Sequence, residues 1–267
     1  MSEPTQKSVD DFLRDGVLIS RSVEAQSIQS LVDRCRPRKT QLELIRIGGL
    51  GDGGYLVPND LDGIKACFSP GVSNTATFEL DLLKNHGIPS HLADWSVDAP
   101  PAYAGQKSFE KKYLAAYSSD VYISLDDWVR RFESAGDSFD LILQMDIEGS
   151  EYEAILGASI EVLRRFRILV IEFHDFHHIG HTSFFKLVRA AFDKLFVGFV
   201  PLHIHPNNCC YSRNINGVLI PPVFEMTLIR KDRVEINGYQ SIFPHPLDSP
   251  NLDDRPDLAL PPNWYVC

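Results

Sequence analysis

Apolar residues recur at Ile28, Leu31, Val32 and Cys35, the spacing that puts them on one face of a helix, and Pro37 ends the run. From about Gly63 the pattern changes to short apolar runs separated by helical segments, which predicts a parallel sheet with crossover helices. Strands are expected at Ile64 to Phe68, His91 to Ala93, Val121 to Ile123, Leu141 to Met145, Ile168 to Phe173 and Val197 to Ile204. The runs Leu141-Ile142-Leu143-Gln144-Met145 and Ile168-Leu169-Val170-Ile171 are almost wholly apolar, as suits central strands covered on both faces. Glu151 to Leu156 and Phe184 to Lys194 carry the intervening helical period, and Phe224 to Arg230 alternates like a late antiparallel strand. After Asn237, prolines at 244, 246, 250, 256, 261 and 262 exclude regular helix and central strand. The division expected is a helical and glycine-rich extension over 1–60, an α/β domain over 61–235 with helices on both faces of a mostly parallel sheet, and a proline-rich arm over 236–267.

Composition narrows this picture. At 267 residues and 44% hydrophobic content, one large domain with one substantial core is the default. No run approaches the ~18 apolar residues that span a bilayer, and Met1 to Asp10 has neither a basic nor an apolar signal region, so a soluble cytoplasmic protein with no membrane partner is expected. Five scattered cysteines without a C-x-x-C pair read as reduced thiols. A net charge of −10 argues against a nucleic-acid partner, because such surfaces need clustered Lys and Arg. The one basic cluster, Arg34, Arg36, Arg38 and Lys39, reads as a solvated helix end.

Ligands of an open parallel sheet bind beyond the carboxyl ends of its strands, where strand order reverses. The residues expected there are polar: Ser69-Pro70-Gly71-Val72-Ser73-Asn74, then Asp94 with Ser96 and Asp98, then Asp146 with Glu148 and Gly149, then Glu172 with His174 and Asp175. Gly71 suits a close backbone approach to a ligand, and Asp94 can accept hydrogen bonds from both ribose hydroxyls of a nucleoside. In the plainer reading Gly71 is a turn glycine and Asp94 a helix N-cap. The missing G-x-G-x-x-G favours a nucleoside without phosphates over a dinucleotide. Asp146 and Glu148 stand at the mouth of a buried strand, a costly place for carboxylates without a partner. The sulfonium or ammonium group of S-adenosylmethionine, or a divalent metal, would each supply one. Capping of the next helix, with Glu151 at its positive end, explains one carboxylate well and three poorly. Upstream, Arg46 to Tyr55 holds five glycines in ten residues, either a hairpin turn ending in Tyr55 or a lid over a cofactor.

Leu143-Gln144-Met145-Asp146-Ile147-Glu148-Gly149-Ser150-Glu151-Tyr152-Glu153 resembles the K-I-D-V-E-G-A-E signature of FkbM-family methyltransferases. Ser124-Leu125-Asp126-Asp127-Trp128 resembles that family's T-L-D-D segment, and Ile171-Glu172-Phe173-His174 its I-E-x-H strand end. The resemblance covers Lys65 to His174 and implies a Rossmann-like, seven-stranded class I methyltransferase sheet, S-adenosylmethionine as cofactor, and methyl transfer to an oxygen, often a sugar or polyketide hydroxyl. It adds Ser69, Ser96 and Asp126 to the cofactor-binding candidates Gly71, Asp94, Asp146 and Glu148. Gly53, Gly54 and Tyr55 join them because Asp52 to Tyr55 is similar to a D-G-G-Y segment near the cofactor pocket of related proteins. The family's D-V-G-A-N-x-G loop is replaced here by Ser69-Pro70-Gly71-Val72-Ser73-Asn74, the mark of a divergent subgroup.

Histidines fall after the fifth strand (His174, His177, His178, His181) and in Leu202-His203-Ile204-His205-Pro206-Asn207-Asn208. A neutral imidazole is the natural base for a hydroxyl, and His174, helped by Glu172 and Asp146, is the expected catalytic group. His203, His205 and Asn207 are expected to orient the acceptor. A divalent ion held by His174, His203 or His205 with Asp146 or Glu172 is the competing, less favoured reading. Two rivals to methyl transfer share the fold: a nicotinamide-dependent oxidoreductase, and a catalytically inert nucleoside-binding module.

Overall fold

The computed structural model describes residues 21–101, 107–132 and 139–266, together with Arg14. Met1 to Asp10 and Cys267 lie outside the described residues. Seven strands form the central sheet: β1 (Ile64–Pro70), β2 (Ser90–Ala93), β3 (Ser108–Glu110), β4 (Asp140–Met145), β5 (Phe166–Phe173), β6 (Phe199–Pro206) and β7 (Phe224–Arg230). Their spatial order is 3-2-1-4-5-7-6, and β7 alone runs antiparallel to its neighbours β5 and β6. Strand order reverses between β1 and β4, so the ligand crevice of such a sheet lies at their carboxyl ends.

The apolar runs account for the middle of the sheet. All eight residues of β5 are buried, and β4 is buried from Leu141 to Met145, each large aliphatic side chain contributing about 1.5–3 kcal/mol. One face is covered by helices α1 (Ala25–Cys35), α3 (Leu125–Phe132), α4 (Glu151–Gly157) and α6 (Thr182–Gly198), with the short α5 (Ile160–Leu163) between α4 and β5. The other face carries α2 (Thr77–His86) and the antiparallel hairpin Leu44–Ile47 with Tyr55–Pro58. Gly87, at φ +67°, closes α2 by donating to Leu83 O while the following Ile88 N–H donates to Leu82 O, a left-handed cap that glycine adopts without a Cβ clash. At the amino ends of the strands, buried Arg167 donates to Asp140 Oδ2 at 2.8 Å and to the carbonyls of Asp60 and Asp62 at 2.8 and 2.7 Å, so its charge is held with partners.

Two expected boundaries are corrected. Tyr122–Ser124 pairs only with Tyr113–Ala115, outside the main sheet, and runs directly into α3; the sheet's third strand is instead Ser108–Glu110, whose half-buried edge position needs no apolar run. Val197 belongs to α6, which continues to Gly198, so β6 begins at Phe199.

The proline-rich arm is ordered by side-chain hydrogen bonds more than by repeating structure. Ile236–Tyr239 pairs with Arg38–Thr40. Beyond it the chain crosses the ends of β6 and β7, and Trp264, fully buried, packs on Phe176 and Phe224. Among the described residues no helix is long and apolar enough to cross a membrane.

Candidate active site

Gly71 and Asp146 meet where β1 and β4 end. A Cβ on Gly71 would stand 1.5 Å from the Asp146 carbonyl oxygen, and the residue sits at φ +86°, so only glycine lets the two strand ends come this close. Below them opens a cleft of about 100 Å³ lined by Asp52, Gly53, Tyr55, Gly71, Ser73 and Asp146, among others. Its floor is a buried polar chain: Ser69 Oγ contacts Glu79 Oε1 and donates to Gln144 Oε1 at 2.7 Å, and Gln144 Nε2 donates to Tyr55 OH at 3.3 Å. Burial pushes the Glu79 carboxyl above its ordinary range, against the lowering effect of its hydrogen bond with Ser69.

Beside the cleft, the chain leaves β4 through two left-handed residues, Glu148 at φ +56° and Gly149 at φ +105°. That turn brings Glu151, the first residue of α4, back beneath the strand end. Fully buried Glu151 accepts from Ile147 N at 3.3 Å and Gly149 N at 3.1 Å, and takes the Nδ1–H of His174 at 3.1 Å. Tyr152 OH donates to the His174 carbonyl at 2.7 Å. With Nδ1 so committed, His174 turns Nε2 toward Glu148 Oε2 at 3.5 Å, Asp146 Oδ1 at 3.8 Å and Glu172 Oε1 at 3.9 Å.

These groups shift one another. Burial raises Asp146 to about 7, against the lowering charge of His174 and with the help of Glu148, Asp52 and Glu151. Glu172 is pushed well above the usual carboxylate range by burial and then by Asp146 and Glu225. Burial opposes a charged His174, but the Glu151 hydrogen bond and the Glu151, Glu172 and Asp146 charges outweigh it and raise the ring to about 9. Perturbed groups gathered at a cleft are the mark of a site that does chemistry.

Residues 67–197, from β1 through most of α6, match the model of the methyltransferase FkbM domain. The chain carries an FkbM methyltransferase domain. No curated protein matches the chain. Every residue of the crevice described so far lies within the FkbM segment except those of the glycine-rich turn and Tyr55.

The structure distributes the other expected site residues unevenly around the FkbM core. Asp94 is buried, and both its oxygens are in use: Oδ2 accepts from Ser73 N at 2.7 Å, Oδ1 from Ser96 N and Ser96 Oγ at 2.7 Å. It therefore ties together the loops after β1 and β2, and no helix N-cap is involved. Ser69 is fully buried in the floor. Gly53 lines the cleft, while Gly54 is required by the turn itself, since a Cβ there would stand 2.0 Å from Gly49 O. Asp126 is separate from the cleft; it accepts from Ser159 N at 2.7 Å and pairs with Arg130 at 3.1 Å, joining α3 to α5.

His203 and His205, expected where an acceptor enters, are corrected to positions beneath the arm. His203 Nε2 meets Asp248 Oδ1 at 2.8 Å and His205 Nε2 meets Asp257 Oδ1 at 2.9 Å, both rings being almost fully buried. Asn207 does reach the cluster: its Nδ2 donates to Glu172 Oε1 at 2.8 Å. The residue that sequence reasoning passed over is Glu151, the carboxylate that orients His174 in place of Glu172. The signal was present in the third acid after β4, which capping explained poorly.

Proposed function

We propose that this chain methylates a hydroxyl group of a small acceptor, a sugar or other glycan being the class expected, with S-adenosylmethionine as the donor. The observation that supports this over the nicotinamide reading is the lining of the cleft: Asp52 and Asp146 are acidic, and no Lys or Arg is among its lining residues. Such a surface attracts the sulfonium and ammonium charges of S-adenosylmethionine and repels the negative charge of a pyrophosphate. When bound, the cofactor supplies an electrophilic methyl group.

The chain's own residues do the rest. Gly53, Tyr55, Gly71 and Asp146 would hold the cofactor along the cleft, with Asp94 and Ser96 bracing the loop that carries Ser73. Glu148 stands at the exposed mouth. His174, Glu172 and Asp146 form the polar cluster that takes the acceptor's proton as the oxygen–methyl bond forms and the sulfur–methyl bond breaks, leaving S-adenosylhomocysteine, and Asn207 holds Glu172 in place. Alignment supplies most of the rate gain. The four described free cysteines, Cys35, Cys67, Cys209 and Cys210, accord with a reducing cytoplasmic setting.

Calorimetry with S-adenosylhomocysteine and with NAD tests the reading. S-adenosylhomocysteine is expected to bind and NAD to fail; the reverse result overturns methyl transfer, and cofactor binding without turnover on any hydroxyl-bearing acceptor would favour an inert binding module.

A further inference from the structure

The groups around His174 also meet the geometry of a coordination site. Asp146, Glu148 and His174 each offer one ligand atom within 4.8 Å of the others. The separations of 3.5 Å from Nε2 to Glu148 Oε2 and 3.8 Å to Asp146 Oδ1 are too long for hydrogen bonds. Two ligands at right angles, each ~2.1 Å from one ion, stand about 3 Å apart, so these gaps close with small side-chain movements.

One proton cannot satisfy this cluster. Nδ1–H is committed to Glu151, which leaves at most a single N–H on Nε2 to face three carboxylates. Three carboxylate oxygens of the cluster remain without a hydrogen-bond partner: Asp146 Oδ1, Glu172 Oε2 and Glu151 Oε2. Glu172 is only 3% exposed, and its other oxygen lies 3.9 Å from Nε2. A buried carboxylate oxygen left unpaired beside two further acids is unfavourable unless a cation compensates it.

We propose that Asp146, Glu148 and His174 Nε2 bind a divalent cation, with Glu172 facing it from the buried side and Glu151 as the outer group that orients the imidazole. Buried acceptors, a histidine whose far nitrogen is fixed by a carboxylate, and an exposed carboxylate at the entrance are the parts of such a site. One imidazole with two or three carboxylates suits Mn²⁺ or a similar ion of intermediate hardness. The catalytic consequence rests on the methyl-transfer reading of the same site: with His174 Nε2 and Asp146 on the cation, Glu172 is the member of the cluster left to take the acceptor's proton, and the cation offsets the charge that the oxygen develops as that proton leaves.

The test is titration of the whole chain with MnCl₂, following loss of the free-ion signal by electron paramagnetic resonance, with no cofactor present. One Mn²⁺ per chain should bind more tightly than about 100 µM. Asp146→Asn and Glu148→Gln should each weaken binding by about 10-fold or more. Glu148 is 86% exposed, so its replacement leaves the fold intact and the test remains decisive even if Asp146→Asn is unstable. His178→Ala, which disrupts the surface group Asp175, His177 and His178, should leave affinity unchanged. A wild-type chain that leaves the free Mn²⁺ signal intact at millimolar ion overturns the proposal, as does binding that survives Glu148→Gln undiminished or is lost with His178→Ala. Calorimetry with S-adenosylhomocysteine on the metal-free chain decides the methyl-transfer reading separately.

Discussion

Replacing Gly71 by alanine separates two costs that the structure assigns to one position. The left-handed backbone, at φ +86°, costs an alanine about 1–2 kcal/mol. The new Cβ would also lie 1.5 Å from the Asp146 carbonyl oxygen. That atom belongs to backbone, so β1 and β4 must part, an overpacking cost of about 1–3 kcal/mol. The sum is about 2–5 kcal/mol. Gly217 is the control: it sits at φ +91° with nothing within 4 Å of an added Cβ, so Gly217→Ala should cost only the backbone part. Urea denaturation of both variants and the parent gives the difference directly. Equal losses in the two would refute the claim that strand contact, and not backbone conformation, demands glycine at 71. A Gly71→Ala chain that is destabilised by this amount yet binds S-adenosylhomocysteine normally would show that the contact serves folding alone.

Three further outcomes follow. Asp94→Ala releases the loops that it ties together through Ser73 and Ser96 and should weaken S-adenosylhomocysteine binding; unchanged affinity in calorimetry would show that this brace does not shape the cofactor cleft. Glu151→Gln should lower kcat/KM by about 10-fold to 100-fold with cofactor affinity preserved, since Glu151 holds the His174 ring and does not line the cleft; an equal loss of cofactor affinity would show a general disruption. For His205, burial opposes the charge, but the hydrogen bond to Asp257 and the ion pair with Glu225 at 3.7 Å prevail and raise the pKa from 6.5 to about 10. A folded-state value above the unfolded one gives stability that is complete below about pH 6.5 and disappears as pH rises through about 10, so denaturation midpoints should fall more steeply between pH 7 and pH 10 in the parent than in His205→Gln; equal slopes would refute the assignment.

Most of the site could be read from β4 and β5 because both are continuous apolar runs, and such runs can only be central strands. Once their ends were placed, Asp146, Glu148, Glu172 and His174 had to converge, and in the structure they do. What pattern could not supply was pairing over distance. Asp248 and Asp257 come 45 and 52 residues after the histidines they hold, and nothing in the Leu202 to Asn208 segment announces that its imidazoles are already engaged. Glu151 illustrates a second limit: its role follows from consecutive left-handed residues at Glu148 and Gly149, and a left-handed glutamate is not foreseeable from composition. Ser108–Glu110 escaped notice because an edge strand with half-buried side chains leaves no periodic trace.

The antiparallel insertion of β7 between β5 and β6 means that the unit of likeness and the unit of folding differ. The FkbM match stops at residue 197, yet β5, buried along its whole length, pairs on one side with β4 and on the other with β7, which begins at Phe224. Cutting the chain where the likeness ends would leave this buried eight-residue strand, six of its residues apolar, as a bare sheet margin, the arrangement most prone to join with copies of itself. Swapping this catalytic half into a related scaffold would therefore succeed only if the incoming piece brings the strand that seals it, together with the arm whose Asp248 and Asp257 secure β6.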